Sequence, residues 1–235
     1  MDQAIRFPWG HFPAVFIHAP ENFVKMHHAY AAAKSGDILA AMELVGDAVS
    51  IKTLEQLWKR FDHHAPVLVS IHAEEASGEN AIPDAMASAI SAFLKWPLER
   101  RIIQANKVSH TGANGYQRLG RQVIFKGNVV IGLNYLLVDD FIGQGGTLAN
   151  LRGHILAQNE CVIGATVLTG KDYSAELALK SARLSELRRK HGHIEYWWRQ
   201  RFGFGFDCLT ASEARYLSQA STAERIIKGL EAVDG

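Results

Sequence analysis

The sequence predicts an α/β protein with a mostly parallel sheet flanked by helices, and with helical additions at both ends. Three observations carry this expectation. Tyr135–Val138 is a short apolar run suited to a buried parallel strand, two carboxylates (Asp139 and Asp140) follow it, and a glycine-rich turn then opens a helix through Leu148, Leu151, Ile155 and Leu156. Cys161–Leu168 is a second apolar run beyond a helix-length crossover, so the two strands should be parallel with a right-handed connection. Val67–Ile71, led by Pro66 and followed by a helix near Pro83, forms an earlier β-loop-α unit.

Composition sets the frame. The 235 residues, 48% hydrophobic and 21% charged, suffice for one large core with or without a small appendage. Lys plus Arg number 25 and Asp plus Glu 24, so the overall charge gives no reason to expect a nucleic-acid or membrane partner. No apolar run approaches the roughly 20 residues that span a bilayer, Met1-Asp2-Gln3-Ala4 lacks a basic leader region, and only Cys161 and Cys208 are present. A cytoplasmic protein is expected.

Residues 1–20, with Pro8, Pro13 and Pro20, read as an irregular arm without a function. Glu21–Lys34 reads as a helix, Ser35-Gly36-Asp37 as a break, and Ile38–Val45 and Leu54–Phe61 as two further helices. His27-His28 and His63-His64 read as surface or capping residues, because sequence neighbours on a helix diverge and no partner has ligand spacing. The polar loop from His72 to Pro83 carries Glu74, Glu75 and Glu79 toward the sheet edge that holds Asp139 and Asp140. Arg101–Ala105 reads as a strand, and Lys107–Arg121 as a mobile, anion-gripping lid. Val123–Phe125 and Val129–Ile131 then read as a hairpin.

Downstream, Ala175–Lys190 reads as an amphipathic helix with a basic end. The aromatic stretch Ile194–Phe206 reads as core or a contact face, and Thr210–Glu213 and Ser221–Glu224 as capping boxes.

The run from Tyr135 through Asp139-Asp140 and Gly145-Gly146-Thr147 to Leu148 resembles the phosphoribosyl-pyrophosphate signature of the type I phosphoribosyltransferases. Supporting order extends from Pro66 to Thr169. The resemblance implies a type I phosphoribosyltransferase-like core at 63–170, a helical cap at 1–62, and a helical region at 171–235 that completes the fold or forms a hood. It further implies a pentosyl transfer of nucleotide metabolism, in which a nucleobase-like acceptor displaces pyrophosphate from phosphoribosyl pyrophosphate with Mg2+. Asp139 and Asp140 would hold the ribose hydroxyls and, directly or through water, Mg2+. Gly143, Gln144, Gly145, Gly146 and Thr147 would cradle the 5-phosphate, the loop Glu74, Glu75, Ala76, Ser77 and Gly78 would meet pyrophosphate, and Lys107, Arg118 or Arg121 would steady the leaving group.

Gly143-Gln144 stands where that family carries two threonines, which removes hydroxyl donors but keeps the backbone amides. The pyrophosphate loop is acidic. A dinucleotide fingerprint fails because Leu148 replaces its third glycine, and the Lys of a Walker A loop is missing. Three readings follow: a phosphoribosyltransferase, a non-catalytic sensor of phosphoribosyl pyrophosphate or a nucleotide, and an interaction protein using its aromatic segment. A homodimer stays open.

Overall fold

The structure, a computed structural model, describes residues 3–71, 74–75, 78–106, 108 and 113–233, with the backbone alone described at 74–75 and 78–79. The arm is not wholly irregular, since it ends in a strand, β1 (Phe16–Ala19). The helix expected over Glu21–Lys34 is two short ones, α1 (Glu21–Lys25) and α2 (Tyr30–Lys34). Between them the Ala29 N–H donates to Nδ1 of His27 at 3.2 Å, a side-chain bond that competes with helix continuation. The rings of His27 and His28 stack 4.5 Å apart instead of diverging, and face Asp47 and Glu43. Asp37 caps α3 (Ile38–Ala48) through the Ala40 N–H, and Ser50 caps α4 (Ile51–Phe61) through the Thr53 N–H.

Next come β2 (Pro66–Ser70), a short hairpin of β3 (Glu74–Glu75) with β4 (Gly78–Glu79), and α5 (Ile82–Leu94), followed by β5 (Leu98–Glu99). The strand expected at 101–105 shrinks to β6 (Ile103–Gln104). It pairs antiparallel with β7 (Phe125–Lys126), so the hairpin expected within 123–131 gives way to this longer-range pairing. Between them, α6 (Gly115–Gly120) turns the C-terminal part of the expected lid into a helix closed by a reciprocal Asn114–Gln117 capping box.

The signature strand β8 (Asn134–Ile142) is longer than its apolar run, so both acids lie inside it; Asp139 is paired in register with Val167. Gly145, at φ +78°, turns the chain into α7 (Gly146–Leu156). Thr147 therefore lies within the first turn and does not cap the helix. β9 (Cys161–Gly170) completes the sheet.

The sheet order is β1-β9-β8-β2-β5, with all neighbours parallel. The protein is thus an α/β fold with a five-stranded parallel sheet between helices. Alternation along the strands splits the core. Leu68, Leu136 and Val138 face α3, α4 and α5, whereas Val69, Tyr135 and Leu137 face α7 and the arm residues Trp9 and Phe12.

After β9 the helix expected from Ala175 begins only at α8 (Ser181–His191). Leu177 is spent earlier, packing into the sheet core while its carbonyl accepts from the Ala211 N–H. α9 (Glu195–Phe202), α10 (Ala211–Ser218) and α11 (Ala223–Glu231) close a third cluster around Trp198, Phe202, Phe204 and Phe206. These rings are core, at about 1.5–3 kcal/mol each for full burial, which removes most of the aromatic contact face. Thr210 and Glu213 form the expected box, but α11 is capped one residue later than expected, by Thr222. No helix among the described residues is long and apolar enough to cross a membrane.

Candidate active site

The two signature carboxylates lie on adjacent residues near the C-terminal end of β8 and face the same cavity. Both residues are 8% exposed. The Asp140 N–H donates to Oδ1 of Asp139 at 2.8 Å. Burial, and after it the charge of Asp140, pushes the Asp139 carboxyl well above the usual carboxylate range. On the α2 side, Lys34 Nζ lies 3.0 Å from Oδ2 of Asp140.

Beyond the acids, Gly143 through Thr147 wrap the N-terminus of α7 and line one cavity of about 250 Å3 together with Asp139 and Asp140. The exposed amides of a helix start and its dipole favour an anion there. The turn is held from behind. Thr210 Oγ1 donates to the Gln144 carbonyl at 2.5 Å and accepts from the Glu213 N–H at 3.0 Å, so the capping box of α10 also braces the cradle. Oε1 of Gln144 and Oε1 of Gln104 are buried without a partner, and both residues line the cavity.

Arg118 and Arg121 line this cavity. Lys107, Ala76 and Ser77 lie outside the described residues, and Glu74, Glu75 and Gly78 are described only as backbone of the small hairpin. Asn80, after that hairpin, also lines the cavity.

Among the lining residues that sequence reasoning passed over are Arg6, Lys25, Tyr30 and Lys34. Lys25 Nζ sits 4.6 Å above the ring of Phe141, and it pairs with Glu21. Arg6 is buried in a network. Its Nη1 lies 2.7 Å from Oε2 of Glu213, its Nε donates to Asn150 at 2.6 Å, and its Nη2 donates to Gln122 at 3.0 Å. No local pattern marks Arg6 or Lys34, because their partners lie 207 and 106 positions away. The wall beside the acids is therefore built by the N-terminal arm and helices, while the C-terminal aromatics stay in their own core.

As to metal ligands, no group of three His, Cys, Asp or Glu side chains among the described residues could hold an ion. Two carboxylates are nonetheless a sufficient protein share for Mg2+, which ordinarily completes its shell with substrate phosphate oxygens and water.

No family model matches the chain. It is similar to Protein TraN of Escherichia coli, 37% identical over 225 residues that make up 95% of this chain and 50% of that protein. It is also similar to an uncharacterized protein of Haemophilus influenzae (strain ATCC 51907 / DSM 11121 / KW20 / Rd), 36% identical over 157 residues, or 66% of this chain and 35% of that protein. The chain thus spans about half the length of the first relative and about a third of the second.

Proposed function

We propose that the cavity binds phosphoribosyl pyrophosphate with Mg2+ on a type I phosphoribosyltransferase-like core and transfers ribose 5-phosphate to a nitrogenous base. The observation that carries this reading is the convergence of Asp139 and Asp140, at the end of a parallel strand, with the glycine turn and the start of α7 in one cavity. Vicinal sugar hydroxyls suit two carboxylate acceptors, and a phosphate suits the helix start. A base nitrogen would bond to C1 as the C1–O bond breaks, with the electron pair leaving on pyrophosphate. The carboxylates would stabilise the positive charge that develops on the sugar. Mg2+, held by Asp139 and Asp140 directly or through water, would supply charge neutralisation on the departing diphosphate.

A second reading, a non-catalytic sensor of the same ligand, is favoured by one contact: Lys34 already neutralises Asp140 and must yield before a metal or a hydroxyl takes that oxygen. Calorimetry with phosphoribosyl pyrophosphate and Mg2+ tests both readings, and absence of binding eliminates them together. Incubation of the binding-competent protein with purines, pyrimidines and orotate separates them. Nucleotide and pyrophosphate mark the transferase; binding without product marks the sensor.

A further inference from the structure

We propose that Arg118 is a fixed phosphate-binding cation of the cradle, a guanidinium standing in for the side-chain donors that Gly143 and Gln144 do not provide; this rests on the phosphoribosyl reading of the cavity. The space at Gly143 shows it. A Cβ built on Gly143 would come within 2.8 Å of Arg118 Nη1 and 3.3 Å of the Phe141 ring, so the end of the guanidinium lies in the space that a side chain at 143 would enter. Both residues line the same cavity as the start of α7.

Three of the cavity's cations are already committed: Arg6 to Glu213, Lys34 to Asp140, Lys25 to Glu21. Arg118 is not. Its Nε donates to the Ala113 carbonyl at 3.0 Å, which orients the guanidinium plane, and among the described residues no carboxylate pairs with it. Arg121 is similarly unpaired but exposed, whereas Arg118 is half-buried, where a charge is screened less. A planar guanidinium with its two terminal amino groups uncommitted is suited to bidentate phosphate recognition.

Its mounting is rigid. Leu119 beside it is fully buried in the C-terminal core, and the ring of Tyr116 meets Tyr216 edge-on at 5.1 Å. Gly115 lies against the Tyr216 ring with no room for a side chain, and Gly120 packs closely on Val233. Arg118 is therefore presented by a helix docked on α10 and α11, and not by a moving lid. It differs in this from a leaving-group cation, which has to arrive and depart with pyrophosphate. The ligand class that follows is a phosphomonoester: the site selects a sugar carrying a terminal phosphate over the same sugar without one.

The test measures ribose 5-phosphate and Mg2+-pyrophosphate separately by calorimetry on the full chain and on Arg118→Ala, Arg118→Lys, and Arg118→Ala combined with Gly143→Thr, with folding checked by circular dichroism. Arg118→Ala should weaken ribose 5-phosphate about ten- to a hundredfold and leave Mg2+-pyrophosphate within about twofold, the range of one charge-assisted hydrogen-bonded pair. Lysine should restore only part of the loss. Threonine at 143, which collides with Arg118 in the parent, should recover affinity once the guanidinium is gone. Loss of pyrophosphate affinity in place of ribose 5-phosphate affinity, or no change in either, overturns the assignment while leaving the phosphoribosyl reading intact. Failure of the unaltered protein to bind either ligand or phosphoribosyl pyrophosphate overturns both.

Discussion

Lys34 Nζ and Oδ2 of Asp140, 106 positions apart in the chain, lie 3.0 Å from one another at the mouth of the sheet. Both side chains are largely buried, at 17% and 11% exposure, so neither charge is well solvated without the other. Removing the ammonium leaves Asp140 beside Asp139 with less positive charge to offset them. Lys34→Met should cost about 3 kcal/mol in urea unfolding, the scale of breaking a buried pair from one side. If metal and ammonium compete for the same oxygen, added Mg2+ should then raise the melting temperature of Lys34→Met more than that of the parent. An equal rise in both would separate the lysine from any metal role.

The two acids should also respond differently to amidation. Burial, then the Asp140 charge, raises the Asp139 carboxyl, so the folded protein binds a proton there more tightly than the unfolded chain does. With the folded value above the unfolded one, stability is complete below the unfolded value of about 3.9 and declines as pH rises through the folded one. Asp139→Asn removes that decline and the repulsion with Asp140, and should raise the unfolding free energy relative to the parent at neutral pH, with the gain vanishing toward acid pH. Asp140→Asn forfeits the Lys34 pair and should cost about 2–3 kcal/mol. Urea titrations at several pH values check both. Both substitutions together should abolish binding of phosphoribosyl pyrophosphate with the fold retained, and unchanged binding would sink the site.

What could be read in advance follows from the range of each interaction. The strand ending in Asp139-Asp140, the glycine turn and α7 are encoded within about 20 consecutive residues, and the structure puts them together. Local patterns misled where a longer contact competed. Leu177, Leu184 and Leu187 have spacing compatible with one helix face, yet the chain at Leu177 is held between the sheet core and Ala211. Phe125 sits in a hairpin-like sequence, yet pairs with Gln104. The arm showed no period because only Phe16–Ala19 is regular, and the value of Arg6 depends on Glu213 at the far end of the chain. Locally, Lys34 is only a cation in the last turn of α2, and its pairing with Asp140 depends on a residue 106 positions away.

His18, on edge strand β1, should make stability depend on acid. Its Nδ1 accepts from the Ser50 N–H at 3.1 Å, its Nε2 is buried without a partner, and desolvation lowers its pKa to about 4. The neutral ring is therefore favoured in the fold. Because the folded value lies below the unfolded 6.5, the stabilisation is full above pH 6.5 and is lost as pH falls toward 4, about 3 kcal/mol in all. His18→Gln should flatten the pH dependence of the urea midpoint in that window. A parent midpoint that does not move between pH 7 and pH 4.5, relative to His18→Gln, would contradict the shift.

The Arg6–Glu213 pair should prove both the costliest to break and strongly non-additive. Each side chain is only 1% exposed, and the carboxylate also accepts from the Thr210 N–H at 2.9 Å. Either Arg6→Met or Glu213→Gln strands a buried charge or its donors, at about 3–5 kcal/mol each. Once one partner is gone, removing the other relieves the stranded group, so the double variant should be more stable than the sum of the singles predicts by more than about 1 kcal/mol. A double-mutant cycle in urea measures this, and additivity would mean that the two residues act independently. The same variants should weaken ligand binding, because Arg6 also donates to Asn150 and approaches the Gly146 carbonyl, tying the arm to the first turns of α7. If stability falls while affinity for phosphoribosyl pyrophosphate holds, the network supports the fold without positioning the cradle.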